Sequence, residues 1–285
     1  MGKFYASEKL LSASDNLITH PVRAKFYPTP DGGMRLACVQ AFSEPRFREE
    51  GWETREKKNG RSIHAFDPDE EILDHDPLLC DIKRATRRAR INAFDLIMCN
   101  PELDAFVTFT YSPESVEDKA DYDECYKHLG VWLANRVQRS GLKYVCVPER
   151  TKKGDIHFHA IMNGESLKLA AACSPHTGRQ LKHKGNPLFN VSDWKHGFSS
   201  AEFIRNRDDS EDSRVAVSKY IFKYMGKQAG QKIGGRYCLI GGDLARPTYA
   251  YGDKPEEFFG DQKPIYKREN IKINDGLDFS EYNFI

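Results

Sequence analysis

The chain has 285 residues, 39% hydrophobic and 30% charged, which fits a soluble protein built as one large domain or as one domain with extensions. Its formal net charge of +1 excludes global basicity as an argument for nucleic-acid binding, so any such binding must come from local patches. Seven scattered cysteines (38, 80, 99, 125, 146, 173 and 238), odd in number and without a CxxC pair, argue against both a disulfide framework and a cysteine zinc site, and with no apolar signal core and no run of membrane-spanning length they lead to the expectation of a cytoplasmic protein.

Residues 1–80 are weakly patterned and carry no assignable chemistry. Short strands are expected at 23–28 and 34–42 around the turn Pro30-Asp-Gly-Gly33, and the charged, glycine-broken run 49–61 reads as a solvated excursion. Residues 81–99 read as a helix capped by Asp81, with Ile82, Ala85, Ala89, Ala93, Leu96 and Ile97 at helical spacing. Its first half carries Lys83, Arg84, Arg87, Arg88 and Arg90 with no acidic partners interleaved, so it is either a solvated face or a phosphate-contacting helix.

Residues 106–111 alternate as a strand that stops at Ser112-Pro113. Residues 121–140 read as an amphipathic helix with Leu129, Trp132, Leu133 and Val137 on its apolar face and Gly141 as its stop, and Trp132 is assigned to the core. A strand at 143–147, a turn at 151–155 and a strand at 155–162 make an antiparallel hairpin. Beyond it a short helix is expected at 166–173, a long polar loop at 174–193, a strand at 197–204, a charged loop at 206–213 and a helix at 215–226. The remainder reads as irregular strands followed by an acidic, aromatic tail. Lys152, Lys153, Lys182 and Lys184 join the basic helix as candidates for DNA-backbone contacts.

The chemistry is concentrated in Asp155-Ile-His-Phe-His-Ala-Ile-Met162. On a strand His157 and His159 emerge on one face while Phe158 points to the other, so two imidazoles are placed to share one metal ion. Glu149 precedes His157 by eight residues across the turn and is the natural third ligand, although an ordinary surface carboxylate also explains it. Two imidazoles and a carboxylate leave open positions for phosphate oxygens. Ligand softness favours Mn²⁺ or Zn²⁺, whereas cellular phosphate chemistry commonly recruits Mg²⁺, so the cofactor is read as a divalent metal ion, Mg²⁺ or Mn²⁺.

Tyr220 and Tyr224 lie four apart on one helix face, with Lys223 and Lys227 each three residues after a tyrosine. A phenol with a pKa of about 10 is a poor nucleophile at neutral pH, and nearby ammonium groups favour its phenolate. An amphipathic helix with buried tyrosines and solvated lysines explains the same spacing by itself. Together with the His-x-His strand, the helix points to an enzyme that breaks a nucleic-acid backbone through a tyrosyl-phosphate link.

Phe106-Val-Thr-Phe-Thr110, His157-Phe-His159 and Tyr220-Ile-Phe-Lys223-Tyr224 resemble, in this order, the three motifs of the HUH endonucleases that initiate rolling-circle replication. The tyrosine spacing is similar to the two-tyrosine subgroup, and residues 149–159 resemble the replication-associated proteins of filamentous phages, gene II type. The likeness spans roughly residues 82–250. It implies an α+β fold with a central, RRM-like antiparallel β-sheet flanked by helices, arranged as an N-terminal extension (1–80), an endonuclease domain (81–250) and a C-terminal tail (251–285). It further implies metal-dependent nicking and rejoining of single-stranded origin DNA in a bacterial cytoplasm, with His157 and His159 as metal ligands, Tyr220 as nucleophile, Lys223 assisting and Tyr224 as second nucleophile. The first motif is given no chemical role, and Thr108 and Thr110 are read as shaping the sheet. No Walker-type motif is present in this sequence, so a host helicase and polymerase are expected as partners. Two other readings stay open: a relaxase or transposase of the same superfamily, and a non-catalytic nucleic-acid-binding protein in which the histidines hold a structural metal.

Overall fold

The computed structural model describes residues 20–42, 77–204, 233–234, 236–272 and 278–285, with 215, 218, 219 and 221 between them. Within the helix 77–99, the side chains of 77–81, 83 and 84 lie outside the described residues, as do those of 272, 278 and 279 in the C-terminal strands. The chain divides into two compact units, Asp74–Arg246 and Met1–Leu73 with Pro247–Ile285. The architecture is α+β with antiparallel sheets.

In the unit Asp74–Arg246, helix α1 (Pro77–Cys99) leads into strand β3 (Leu103–Phe109), helix α2 (Tyr122–Ser140) and the hairpin β4 (Tyr144–Arg150) and β5 (Ile156–Asn163). α1 begins four residues before the Asp81 expected as its cap. Pro77 opens it, and proline suits a first helical position, where its missing N–H costs nothing. α2 matches its sequence signals closely. Asp121 accepts hydrogen bonds from the backbone N–H groups of Asp123 and Glu124, and Gly141 at φ 65° closes the helix in the left-handed conformation that glycine adopts without strain.

A seven-stranded sheet runs in the order β11 (Leu239–Gly241), β4, β5, β3, β10 (Ser199–Phe203), β9 (Phe189–Val191) and β6 (Leu169–Ala171). The helix expected at 166–173 is instead a single 3₁₀ turn followed by β6, because Leu169 and Ala171 pair with Val191 and Phe189 on β9. The polar stretch 174–193 is not a plain loop either: it holds the small hairpin β7 (Lys182–His183) and β8 (Asn186–Pro187) before β9.

Strand alternation gives this sheet two packed faces. Phe109, Phe158, Ala160 and Met162 point to the side of α2, where they meet Leu129, Trp132, Leu133 and Trp194. Phe109 is the centre of that layer, 5.2 Å from the Trp132 ring and 4.9 Å from the Trp194 ring. On the other side Val145, Val147 and Ile161 pack against Ala93, Leu96 and Ile97 of α1 and against Ile221. The described positions of the expected helix 215–226 (Val215, Ser218, Lys219 and Ile221) are all helical.

In the other unit β1 (Val22–Pro28) and β2 (Met34–Phe42) join β12 (Thr248–Gly252), β13 (Tyr266–Lys272) and β14 (Asp278–Asn283) in a five-stranded sheet ordered β12-β1-β2-β14-β13. The strands read from residues 22–42 therefore share a sheet with strands from the C-terminal segment. No helix among the described residues is long and apolar enough to cross a membrane.

Phe158 has no exposed surface and sits between the histidines in the chain. Phe158→Ala is expected to lower the unfolding free energy by about 3–5 kcal/mol. The readout is urea denaturation followed by tryptophan fluorescence, since Trp132 and Trp194 belong to the same core. A loss below about 1 kcal/mol would contradict its central position in that layer.

Candidate metal centre

The site is built by three neighbouring antiparallel strands. On β5, Ile156 and Phe158 are buried toward α2, which turns His157 and His159 to the α1 face. The β4–β5 register sets Glu149 opposite His157 and Val147 opposite His159, and the β3–β5 register sets Thr108 opposite His159. The five-residue turn between the paired strands is closed by hydrogen bonds from Thr151 N–H to Asp155 O (2.9 Å) and from Gly154 N–H to Thr151 O (3.0 Å). Gly154 adopts φ 98° there, a conformation that side chains with a Cβ rarely take.

Glu149, His157 and His159 each offer a ligand atom, and these atoms all lie within 4.8 Å of one another. Among the described residues this is the one group of three or more His, Cys, Asp or Glu side chains that converges in this way. His159 is 7% exposed and both of its ring nitrogens are engaged. Nε2 lies 2.7 Å from Glu149 Oε2, and Nδ1 lies 3.0 Å from Thr108 Oγ1. A carboxylate only accepts, so in the neutral ring Nε2–H donates to Glu149 and Nδ1 accepts from the Thr108 hydroxyl. When Nε2 gives up its proton to act as a ligand, Nδ1–H can donate to Thr108 Oγ1 instead. One hydroxyl therefore serves both tautomers. Phe106 stacks on the same imidazole, with centroids 6.0 Å apart and planes 12° from parallel, and limits its rotation.

His157 is half-buried beside this pair, its ring centre 6.5 Å from that of His159. Its pKa is lowered, first by burial and then by the neighbouring His159, while Glu149 pulls in the opposite direction. Lowering the pKa keeps the ring neutral at physiological pH, the form in which an imidazole ligates a cation. The donor set fits a divalent metal ion: two imidazole nitrogens and one carboxylate oxygen from adjacent strands, with fewer protein ligands than the four of a closed structural site.

Lys152 and Lys153 are exposed at the tip of the β4–β5 turn, and Lys182 and Lys184 are exposed on the β7–β8 hairpin. Arg87, Arg88 and Arg90 lie on α1 just N-terminal to the residues that pack on the sheet, with Arg88 exposed. The side chains of Lys83 and Arg84 lie outside the described residues, and so do Tyr220, Lys223, Tyr224 and Lys227. Ile221 is described: it is fully buried against Val145, Val147 and Ile161, on the sheet face that carries the two histidines.

Thr108 was legible only as a sheet former, yet its hydroxyl meets His159 directly. Its signal in the sequence is the alternation of Phe106, Thr108 and Thr110, which puts a hydroxyl on the face shared with the histidines once the register is known. Thr108→Val is expected to weaken Mn²⁺ binding about 10- to 100-fold, as measured by titration calorimetry. Thr110→Val, whose hydroxyl donates to Phe198 O (3.0 Å), should leave it unchanged. Equal affinity in both variants would remove Thr108 from the site.

Comparison with curated proteins and with solved structures yields no match. Residues 104–229 match the family model described as replication-associated protein ORF2/G2P. The matched span contains β3 from its second residue, the β4–β5 hairpin with Glu149, His157 and His159, and the two tyrosine positions. Over that span the chain is similar to replication-associated proteins, and the match supports a role in replication.

Proposed function

We propose that this protein initiates rolling-circle replication of a phage or plasmid, as an HUH-type, two-tyrosine endonuclease that nicks and rejoins single-stranded origin DNA. The observation that carries this reading is the convergence of Glu149, His157 and His159 on one sheet face, inside a span similar to replication-associated proteins. The burial of Ile221 on that same face supports it further, because Ile221 is the chain neighbour of Tyr220. We assign the activity to the unit Asp74–Arg246, which contains the whole matched span.

In this proposal Glu149, His157 and His159 hold a divalent cation, Mg²⁺ or Mn²⁺, which when bound polarises a non-bridging oxygen of the scissile phosphodiester. Tyr220 Oη attacks the phosphorus, the P–O3′ bond breaks, and the phenolic proton ends on the departing 3′-oxygen. The 5′-phosphate stays esterified to the tyrosine. Lys223 favours the phenolate and offsets charge that develops on the phosphoryl oxygens, and Lys227 does the same for Tyr224. Tyr224 repeats the attack when the origin is regenerated, and a 3′-hydroxyl then attacks the phosphotyrosine to reseal the strand. Each exchange replaces one phosphoester by another, so the cycle consumes no ATP. The cations Arg87, Arg88, Arg90, Lys152 and Lys153, with Lys83 and Arg84, contact the DNA backbone, and a host helicase and polymerase complete the replication machinery in the bacterial cytoplasm.

The test is a denaturing gel of end-labelled single-stranded origin-region DNA incubated with the protein and Mn²⁺. A covalent protein–DNA adduct is expected that is absent with EDTA and absent in Tyr220→Phe. Tyr224→Phe should still form the first adduct but fail to complete strand exchange. An authentic origin that is bound tightly in Mn²⁺ yet yields no adduct would contradict the proposal and favour a non-catalytic binding protein with a structural metal.

A further inference from the structure

The five-stranded sheet β12-β1-β2-β14-β13 has two chemically different faces. Val22, Ala24, Val39 and Ala41 form its apolar side, with Phe258 and Tyr282 packed against them. The alternate residues of the same strands stand on the opposite side. There the register forms one unbroken row across all five strands: Tyr251 opposite Arg23, Arg23 opposite Gln40, Gln40 opposite Glu281, and Glu281 opposite Arg268. The next row runs in the same way from Tyr249 through Lys25, Cys38 and Asn283 to Tyr266.

This face combines flat rings with cations. Tyr249 is 39% exposed and Tyr266 47% exposed. The Arg23 guanidinium lies 5.3 Å from the centre of the Tyr249 ring, and that of Arg268 lies 5.2 Å from the centre of the Tyr266 ring. Glu281 is the one carboxylate of the two rows, and it is occupied by the Gln40 amide (2.9 Å) and the Cys38 thiol (3.7 Å). Arg23, Lys25 and Arg268 are the three cations of these two rows. Neither of these two rows contains an aliphatic side chain; the row beyond them on the same face sets Phe42 opposite Phe279 and Phe279 opposite Ile271. Four strand spacings separate the outer tyrosines, about 19 Å.

We propose that this face is a second nucleic-acid site, a platform on which single-stranded DNA lies with bases stacked on Tyr249 and Tyr266 and with phosphates near Arg23, Lys25 and Arg268. Every base presents a π-face whatever its sequence, and a cationic surface attracts the backbone that carries it. A duplex hides those faces inside its stack, so the platform selects single strands. That the strand is DNA rests on the function proposed above. The platform itself rests on the sheet alone and belongs to the unit that does not contain Glu149, His157 and His159.

The test uses the full chain in EDTA, so that no cleavage intervenes, with a fluorescein-labelled oligothymidylate of about twenty nucleotides followed by anisotropy. Tyr249→Ala and Tyr266→Ala are each expected to weaken binding roughly 5- to 100-fold, and Tyr266→Trp to restore it. Arg23→Gln should reduce the salt dependence by about one phosphate contact. Binding to a hairpin duplex should not change in either alanine variant. Wild-type affinity in both alanine variants, an equal loss on the duplex, or no recovery with tryptophan would overturn the platform. Adduct formation by the unaltered protein in Mn²⁺ is a separate measurement, so its failure would strike the nicking reading and leave the binding result standing.

Discussion

The site depends on the register of one strand. β5 lies between β4 and β3, so each of its side chains is committed to a face by hydrogen bonds on both edges. Ile156, Phe158, Ala160 and Met162 fill the aromatic layer beneath α2. Their burial fixes which way His157 and His159 must point. A slip of one residue would put two imidazoles into that layer and turn Phe158 out of it, which would empty the centre of the aromatic layer. The apolar residues of β5 thus position the polar ones, and the same register brings Glu149 to His157 and Thr108 to His159.

The local chemistry follows from that constraint. His159 is buried between a carboxylate and a hydroxyl and stacked on Phe106, so its ring has little freedom left. His157, half-buried next to it, is held neutral by burial and by its neighbour.

Much of this was legible in the sequence because it is local. The His-x-His alternation, the five-residue turn and the eight-residue step from Glu149 to His157 specify a hairpin with three donors on one face, and the hairpin forms as expected. Asp121 and Gly141 marked both ends of α2 for the same reason. What was not legible is set by distant partners. Residues 169–171 have a composition compatible with a helix, but pairing with β9 makes them a strand. The likeness to known initiators cast residues 1–80 and 251–285 as an extension and a tail, and nothing in either segment alone announces that β1 and β2 share a sheet with β12 and β14. Pairing across more than two hundred residues leaves no local signal. Thr108 was missed for a related reason: its role appears only once β3 is known to lie beside β5.

Whether Glu149, His157 and His159 together hold a cation is read out by pulsed electron paramagnetic resonance of bound Mn²⁺. Nitrogen couplings from two imidazoles are expected, reduced to one in His157→Ala and abolished in the His157→Ala/His159→Ala double variant, with weaker binding in Glu149→Gln. Tight Mn²⁺ binding without imidazole couplings, or couplings that survive the double variant, would place the metal away from these three residues.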